Sequence, residues 1–171
     1  MDADGGLTPR LLIEELGLYA GPAVWGYRDA VVAAADDLGV TVDHDLGLVQ
    51  IGLHLPGAPG WIVGWRIDHG WYLVRQPRMG DPPAIGPTLY RSAADPVDQL
   101  MPAPVAVAQW LHKISNQRLA GTEHGPEPTT SAHQRARVLS RLRGYLPHDH
   151  GPGYSWSDDR PLTQADHHVA G

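Results

Sequence analysis

The hydrophobic positions in the first forty residues recur at helical spacing. Thr8 and Pro9 precede a run of leucines, which predicts a short helix with threonine as its N-cap and proline in its first turn. From about Pro22, apolar residues recur every three or four positions as far as Leu38, and Gly39 is expected to end this second helix. The chain is therefore expected to begin with two helices.

The pattern then changes to alternation of single residues, which is typical of strands. Residues 48–53 alternate, and a loop rich in proline and glycine separates them from a second alternating run at 61–67. The turn 68–70, with glycine in its last position, leads into a third run at 71–75. Residues 87–91 offer a short edge strand in a proline-rich stretch. This order predicts an antiparallel meander.

Aromatic residues are concentrated on one face of this sheet. Alternation places Trp61 and Trp65 on the same side of the second strand, and Trp71 opens the third. Another apolar stripe at helical spacing follows Pro104, with Gly121 as a later stop. We predict an α+β fold, in which an antiparallel three- to four-stranded meander packs against N- and C-terminal helices.

Apolar content falls near Gly121, and this change defines the expected organisation of the chain. Residues 1–20 are expected to form a short N-terminal helix and 21–120 the α+β domain. Residues 121–171 are rich in histidine, glycine, proline and serine, which predicts a largely disordered tail. Within that tail, residues of about 130–145 have the spacing of one amphipathic basic helix.

Composition excludes several kinds of chemistry. The 171 residues include no cysteine, which excludes thiol nucleophiles, disulfides and thiolate zinc sites. The formal charge is −6, which does not favour general attraction to nucleic acid or anionic lipid. The sequence has neither a secretory signal nor an apolar run long enough to span a membrane, so we expect a cytoplasmic protein that does not contact a membrane.

The predicted tail helix is a candidate binding element. Its cations are Arg135, Arg137, Arg141 and Arg143, and its apolar side carries Leu139, Leu142 and Tyr145. Arginines can contact the phosphates of a nucleic acid, whereas the apolar side can dock in a groove of a protein partner. A third interpretation is that the helix packs on its own domain.

Histidines supply weaker candidates for a metal site. The tail contains His148, His150, His167 and His168, and imidazole groups on a flexible segment can bind a transition metal weakly. We nevertheless favour a solvated tail, because a specific metal site needs a packed second shell of residues around its ligands. No cofactor is expected.

The remaining histidines of interest are His69, a candidate for acid–base chemistry, and His44 and His54, candidates for a metal site. His69 lies beside Asp68 in the tightest turn, where the favoured role of the aspartate is to cap the turn. His44 and His54 are interpreted as lying on the same strand, about 30 Å apart if it is extended, so they would not share a metal ion unless the strand bends sharply.

Several short motifs resemble a known family. They are Gly26-Tyr27, Leu38-Gly39-Val40, the hairpin from Trp65 to Trp71 with its His-Gly-Trp, and Met101-Pro102-Ala103-Pro104 followed by Val107-Ala108-Gln109-Trp110. Together they resemble a small actinobacterial domain of unknown function over roughly residues 22–117. That family is expected to carry acidic residues where this chain has Arg66 and Ile67, so an acidic site there is not implied. The resemblance supports a fold and implies no activity.

We therefore expect a non-enzymatic adaptor that binds an unidentified protein partner. The candidate contact residues are Trp61, Trp65 and Trp71 on the sheet, and Leu139, Leu142 and Tyr145 on the tail helix. An alternative is a nucleic-acid-associated regulator that uses the four arginines of that helix. A third hypothesis is a small hydrolase or metal-dependent enzyme built on His69, or on His44 with Asp45.

Overall fold

The computed structural model describes residues 6–45, 47–76, 79–80, 95–116 and 130–146, and the backbone of the three residue pairs 88–89, 154–155 and 160–161. In that part of the chain the helices are α1 (Pro9–Leu16), α2 (Ala20–Asp37), α3 (Pro96–Leu100), α4 (Pro104–Ser115) and α5 (Ala132–Arg143). A 3-10 turn (Gly17–Tyr19) joins α1 to α2. The strands are β1 (Asp43–His44), β2 (Gln50–His54), β3 (Trp61–Arg66), β4 (Gly70–Arg75), β5 (Thr88–Leu89), β6 (Tyr154–Ser155) and β7 (Arg160–Pro161).

Local sequence signals set the ends of several helices. The Thr8 hydroxyl accepts a hydrogen bond from the Leu11 N–H at 3.0 Å, as an N-cap does. At the start of α5, Ser131 and Gln134 form a reciprocal capping box. Each side chain accepts a hydrogen bond from the backbone N–H of the other residue, and neither N–H has a partner within the helix. Gly39 follows α2 with a φ of 74°. In this left-handed conformation glycine stops a helix at little cost.

The sheet is an antiparallel meander with the spatial order β1-β2-β3-β4-β5. The three central strands have five or six residues each, and the two-residue strands β1 and β5 lie at its edges. In the central hairpin, Trp65 pairs with Trp71 across the turn. The predicted α+β meander with helices before and after it is confirmed.

One face of the sheet forms the core. Val63, Trp65, Trp71 and Leu73 all point to this face and are buried, since alternate residues of a strand share a face. The same hydrophobic cluster includes residues from every described helix, among them Leu12 of α1 and Leu142 of α5. Helices α1 and α5, which were expected to lie outside the domain of residues 21–120, therefore share one hydrophobic core with it.

A buried tyrosine links the sheet, α2 and the loop before α4. The Tyr27 hydroxyl donates a hydrogen bond to the Pro102 carbonyl at 2.6 Å and accepts one from the Trp71 indole N–H at 3.1 Å. The Trp65 indole N–H donates to the Leu100 carbonyl at 2.6 Å. Buried aromatic residues with polar atoms need such partners, so these bonds determine how the helices and sheet are arranged.

Two glycines allow unusually close packing. A Cβ on Gly26 would overlap the carbonyl oxygen of Tyr145, which follows α5. Gly70 has a φ of 73°, and a Cβ there would lie 2.5 Å from the Gln99 carbonyl oxygen. The chain just after α5 and the C-terminal end of α3 can approach α2 and β4 this closely because neither glycine carries a side chain.

Other expectations fall partly outside the described residues. The predicted helix after Pro104 ends at Ser115, and Gly121 lies outside the described part. The expected disorder of the tail concerns residues that mostly lie outside it as well. In the described part, no helix has both the length and the apolar character that crossing a membrane requires.

We predict that Gly26→Ala destabilises the fold by about 1–3 kcal/mol, because the added methyl group overpacks the contact between α2 and residue 145. Chemical denaturation with urea measures this loss. Gly6→Ala is the control, because a Cβ at Gly6 has no atom within 4 Å. Equal stability of Gly26→Ala and the wild type would show that the end of α5 does not pack on Gly26.

A second prediction concerns alkaline pH. Burial raises the pKa of Tyr145, and the nearby Arg141 only partly opposes this effect. The unfolded chain therefore loses the phenol proton near pH 10 while the folded chain retains it, and stability falls as the pH rises above that value. Burial also raises the pKa of Tyr72, so part of the loss of stability at alkaline pH should remain when Tyr145 is replaced.

Thermal unfolding between pH 8 and pH 11 tests this effect. Tyr145→Phe should lose less stability over this range than the wild type, while Tyr19→Phe, at an exposed position, should follow the wild type. If Tyr145→Phe and the wild type lose stability in parallel, the ionisation of Tyr145 does not contribute.

Candidate functional site

The aromatic face of the sheet lies in the core. Trp65 and Trp71 are fully buried. The Trp65 indole N–H donates a hydrogen bond to the Leu100 carbonyl, and the Trp71 indole N–H donates one to the Tyr27 hydroxyl. Trp61, the third candidate on the sheet, is partly buried against the same cluster. In this structure the two fully buried tryptophans therefore stabilise the fold and are not open to a partner.

The apolar side of α5 packs on its own domain. Leu139 and Leu142 are buried, and Tyr145 is partly buried, with its ring centroid 5.3 Å from that of Tyr27. Of the three interpretations of the basic helix, the structure shows this intramolecular docking. The apolar residues of the helix are covered by the domain.

Two of the arginines on α5 face α3. Arg141 is buried, and its guanidinium donates to the Asp98 carboxylate at 2.7 Å and to the Met101 carbonyl at 3.1 Å. Arg137 lies 3.3 Å from a carboxylate oxygen of Asp95, the residue that caps α3. These pairs hold α5 on α3, and they use cationic groups that the nucleic-acid hypothesis assigns to phosphates.

The remaining two arginines differ from each other. Arg135 donates to the carbonyl of Thr130 at 2.8 Å, just before the helix begins. Arg143 is exposed at the other end of α5. The four cations therefore do not form one open patch, and the geometry does not favour an extended phosphate-binding surface.

The expected separation of His44 and His54 is wrong. They lie on two adjacent antiparallel strands, where His44 pairs with Leu53 and Asp43 pairs with His54, because the chain reverses direction between them. The His54 ring lies 2.9 Å from the Asp45 carboxylate. Even so, the described residues contain no group of three histidine or acidic side chains able to hold a metal ion.

The turn with Asp68 and His69 contains a small charged cluster. The Asp68 carboxylate accepts a hydrogen bond from Arg66 at 2.8 Å, and its other oxygen is buried and has no hydrogen-bond partner among the described residues. The His69 ring is 3.7 Å from the same carboxylate. Arg66 thus neutralises the acid in the turn. The tail histidines, His148, His150, His167 and His168, lie outside the described residues.

Four exposed apolar residues lie in or beside the segment that runs from the 3-10 turn into the first half of α2. Leu18, Tyr19, Trp25 and Leu48 are 94%, 65%, 37% and 64% exposed, and we call these four residues the apolar patch. A Cβ at Gly21 would lie 3.3 Å from Leu48 and 3.4 Å from Trp25, so both side chains border this glycine. Exposed groups of this kind often mark interaction sites.

Sequence reasoning missed this patch because its residues come from unrelated positions. Leu18 and Tyr19 follow the glycine that ends α1, and Leu48 lies in the turn before β2. The proximity of Leu48 depends on the tertiary fold.

The exposed side of α2 continues beyond Trp25. Asp29 comes four residues after Trp25, Val32 three residues after Asp29, and Asp36 four residues after Val32. These spacings place the three residues on the same face of α2 as Trp25. A groove of about 410 Å³ lies along this part of the helix. Its lining residues are Asp29, Val32, Ala33, Asp36, Val40, Thr41 and Val42, and we call it the α2 groove.

The charge of this region is strongly negative. Between residues 6 and 45 the chain has two cations, Arg10 and Arg28, against seven acidic residues. Arg10 pairs with Glu14 at 2.8 Å and Arg28 with Asp29 at 2.9 Å. The α2 groove and most of the apolar patch therefore belong to a segment of the chain with a marked excess of carboxylates, which favours cationic partners.

Comparisons of the chain with protein-family models, with curated proteins and with solved structures found no match in any of the three. Membership of the family that the motifs resemble therefore stays a prediction. Several of those motif residues nevertheless meet in space. Tyr27, Trp65, Trp71 and Pro102 form the buried hydrogen-bonded cluster described above.

The contrast between two arginines of α5 gives a testable prediction. Arg141→Met should destabilise the protein by about 1–3 kcal/mol, because it leaves the Met101 carbonyl without its donor and removes the ion pair with the partly exposed Asp98. Arg143→Met, on the same helix but exposed, should change stability by less than about 0.5 kcal/mol. Urea denaturation measures both values. Equal effects of the two substitutions would argue against the docking of α5 on α3.

Proposed function

We propose that this protein is a non-enzymatic binding module that recruits another protein through the apolar patch. The observation that carries the proposal is the exposure of four apolar side chains in or beside the segment that leads into α2, two of which, Trp25 and Leu48, both border Gly21. Apolar side chains gain free energy when a partner removes them from water, at roughly 25 cal/mol per Å². The patch therefore offers binding energy without requiring any chemistry.

The local structure holds two of these side chains in place before a partner arrives. The Trp25 indole N–H donates a hydrogen bond to the Gly47 carbonyl, and Leu48 packs against Gly21. A side chain that is already ordered loses less conformational entropy on binding. Tryptophan and tyrosine are also common among the residues that contribute most to protein interfaces. Trp25 and Tyr19 are therefore the expected anchors.

The charge around the patch indicates the chemistry of its partner. Because acidic residues dominate α1, α2 and β1, a complementary surface would combine apolar residues with lysine or arginine. The same excess of carboxylates opposes a nucleic acid on this side of the molecule. We therefore favour a protein partner with an apolar contact region that is flanked by cations.

Affinity capture from the organism that encodes the chain tests this function. A double variant, Leu18→Ser with Leu48→Ser, should reduce capture of a stoichiometric partner at least about tenfold, because it removes two exposed apolar side chains whose full burial contributes about 1.5–3 kcal/mol each. The control is Val105→Ser, which changes an exposed apolar residue on α4. Its capture should match that of the wild type.

The proposal fails if the double variant retains its partner, or if Val105→Ser loses it to the same extent. Recovery of nucleic acid alone, with no stoichiometric protein, would also contradict it. Thermal unfolding of each variant ensures that a loss of capture reflects the surface and not the fold.

A further inference from the structure

We propose that the α2 groove binds a lysine or arginine side chain of the partner, and that the partner contacts this face with a basic amphipathic helical segment. The inference rests on the proposed function and names the class of segment that the patch would recruit. It is based on the shape and lining of the groove, on its charge and on its alignment with Trp25.

The groove is bounded on one side by α2 and on the other by the chain that follows it. After α2 ends, the Val40 N–H donates to the Ala35 carbonyl at 2.9 Å, which turns the chain back beside the helix. Further along, the Trp25 indole N–H donates to the Gly47 carbonyl. The returning segment is thus tied to α2 at two levels, and the groove lies between them.

The lining of the groove suits a long cationic side chain. Val32, Ala33, Val40 and Val42 provide apolar walls, while Asp29 and Asp36 supply carboxylates. The methylene stem of a lysine or arginine can cover apolar surface while its charged end remains near carboxylates and water. An apolar occupant would instead desolvate those carboxylates without giving them a partner, which costs free energy.

Asp29 and Asp36 differ in their present contacts. One oxygen of Asp29 already accepts the guanidinium of Arg28, although 64% of the aspartate side chain remains exposed. Asp36 is also exposed, and it lies seven residues, or about 10 Å, further along α2. A cation of the partner would therefore compete with Arg28 for the carboxylate of Asp29 more than for that of Asp36.

The alignment of these residues sets a spacing on the partner. Asp29 and Asp36 follow Trp25 by four and eleven residues, which corresponds to about 6 Å and about 16 Å along the helix axis. A helical segment lying along α2 would therefore place its cations about four and eleven residues from its apolar anchor. Such spacing is typical of amphipathic helices that dock in grooves.

Selection from a library of random 16-residue peptides on the full-length protein tests the inference. Enriched peptides should combine an apolar anchor with lysine or arginine at these spacings. Asp36→Asn should weaken their binding about two- to fivefold at low salt, as expected for losing one exposed ion pair, and should reduce its dependence on salt. Asp37→Asn is the matched control, because Asp37 is an exposed neighbour outside the groove lining, and it should have little effect.

Asp29→Asn serves as a second variant, and its thermal unfolding must be measured because Arg28 loses an ion-pair partner. Enrichment of peptides without cations, no enrichment at all, or equal effects of Asp36→Asn and Asp37→Asn would overturn the inference. The proposed function is judged separately, by whether Leu18→Ser with Leu48→Ser abolishes capture of the partner. A partner that depends on the patch but not on Asp36 would leave the function standing and exclude the groove.

Discussion

The hydroxyl group of Tyr27 accepts a hydrogen bond from Trp71 and donates one to the carbonyl of Pro102. Because the ring is fully buried, water cannot replace either partner, and the three chain segments that supply these groups must stay in one arrangement. Trp65 adds a parallel link from the sheet to Leu100. Most of the tertiary structure depends on this hydrogen-bonded aromatic cluster.

The cluster also determines which side of α2 faces solvent. Since Tyr27 and Val31 must point to the core, the opposite side of the helix presents Trp25, Asp29 and Asp36. The proposed partner site thus lies on the same rigid element that organises the core. A partner helix laid along α2 would meet a surface whose backbone is already fixed, which lowers the entropic cost of binding.

Much of the fold could be predicted from the sequence because its signals are local. Threonine and serine caps, the Gly39 stop and the alternation along β3 and β4 act within a few residues, so they predict helices and a hairpin. The candidate site could not be predicted in this way. Gly21 borders Leu48 across a separation of 27 residues, and the chain reversal that joins His54 to Asp45 made the expected 30 Å separation wrong.

The sequence by itself determined the α+β class, the order of the helices and strands, and the amphipathic character of α5. Only the tertiary structure decided what that helix does. The local sequence is compatible with a contact of Arg141 either to a phosphate or to Asp98. The charge pattern indicates that the partner is an anion, but it does not indicate where in the structure that anion lies. Packing of Leu142 in the core placed the guanidinium of Arg141 beside Asp98, so the proposed binding surface lies on α2 and not on α5.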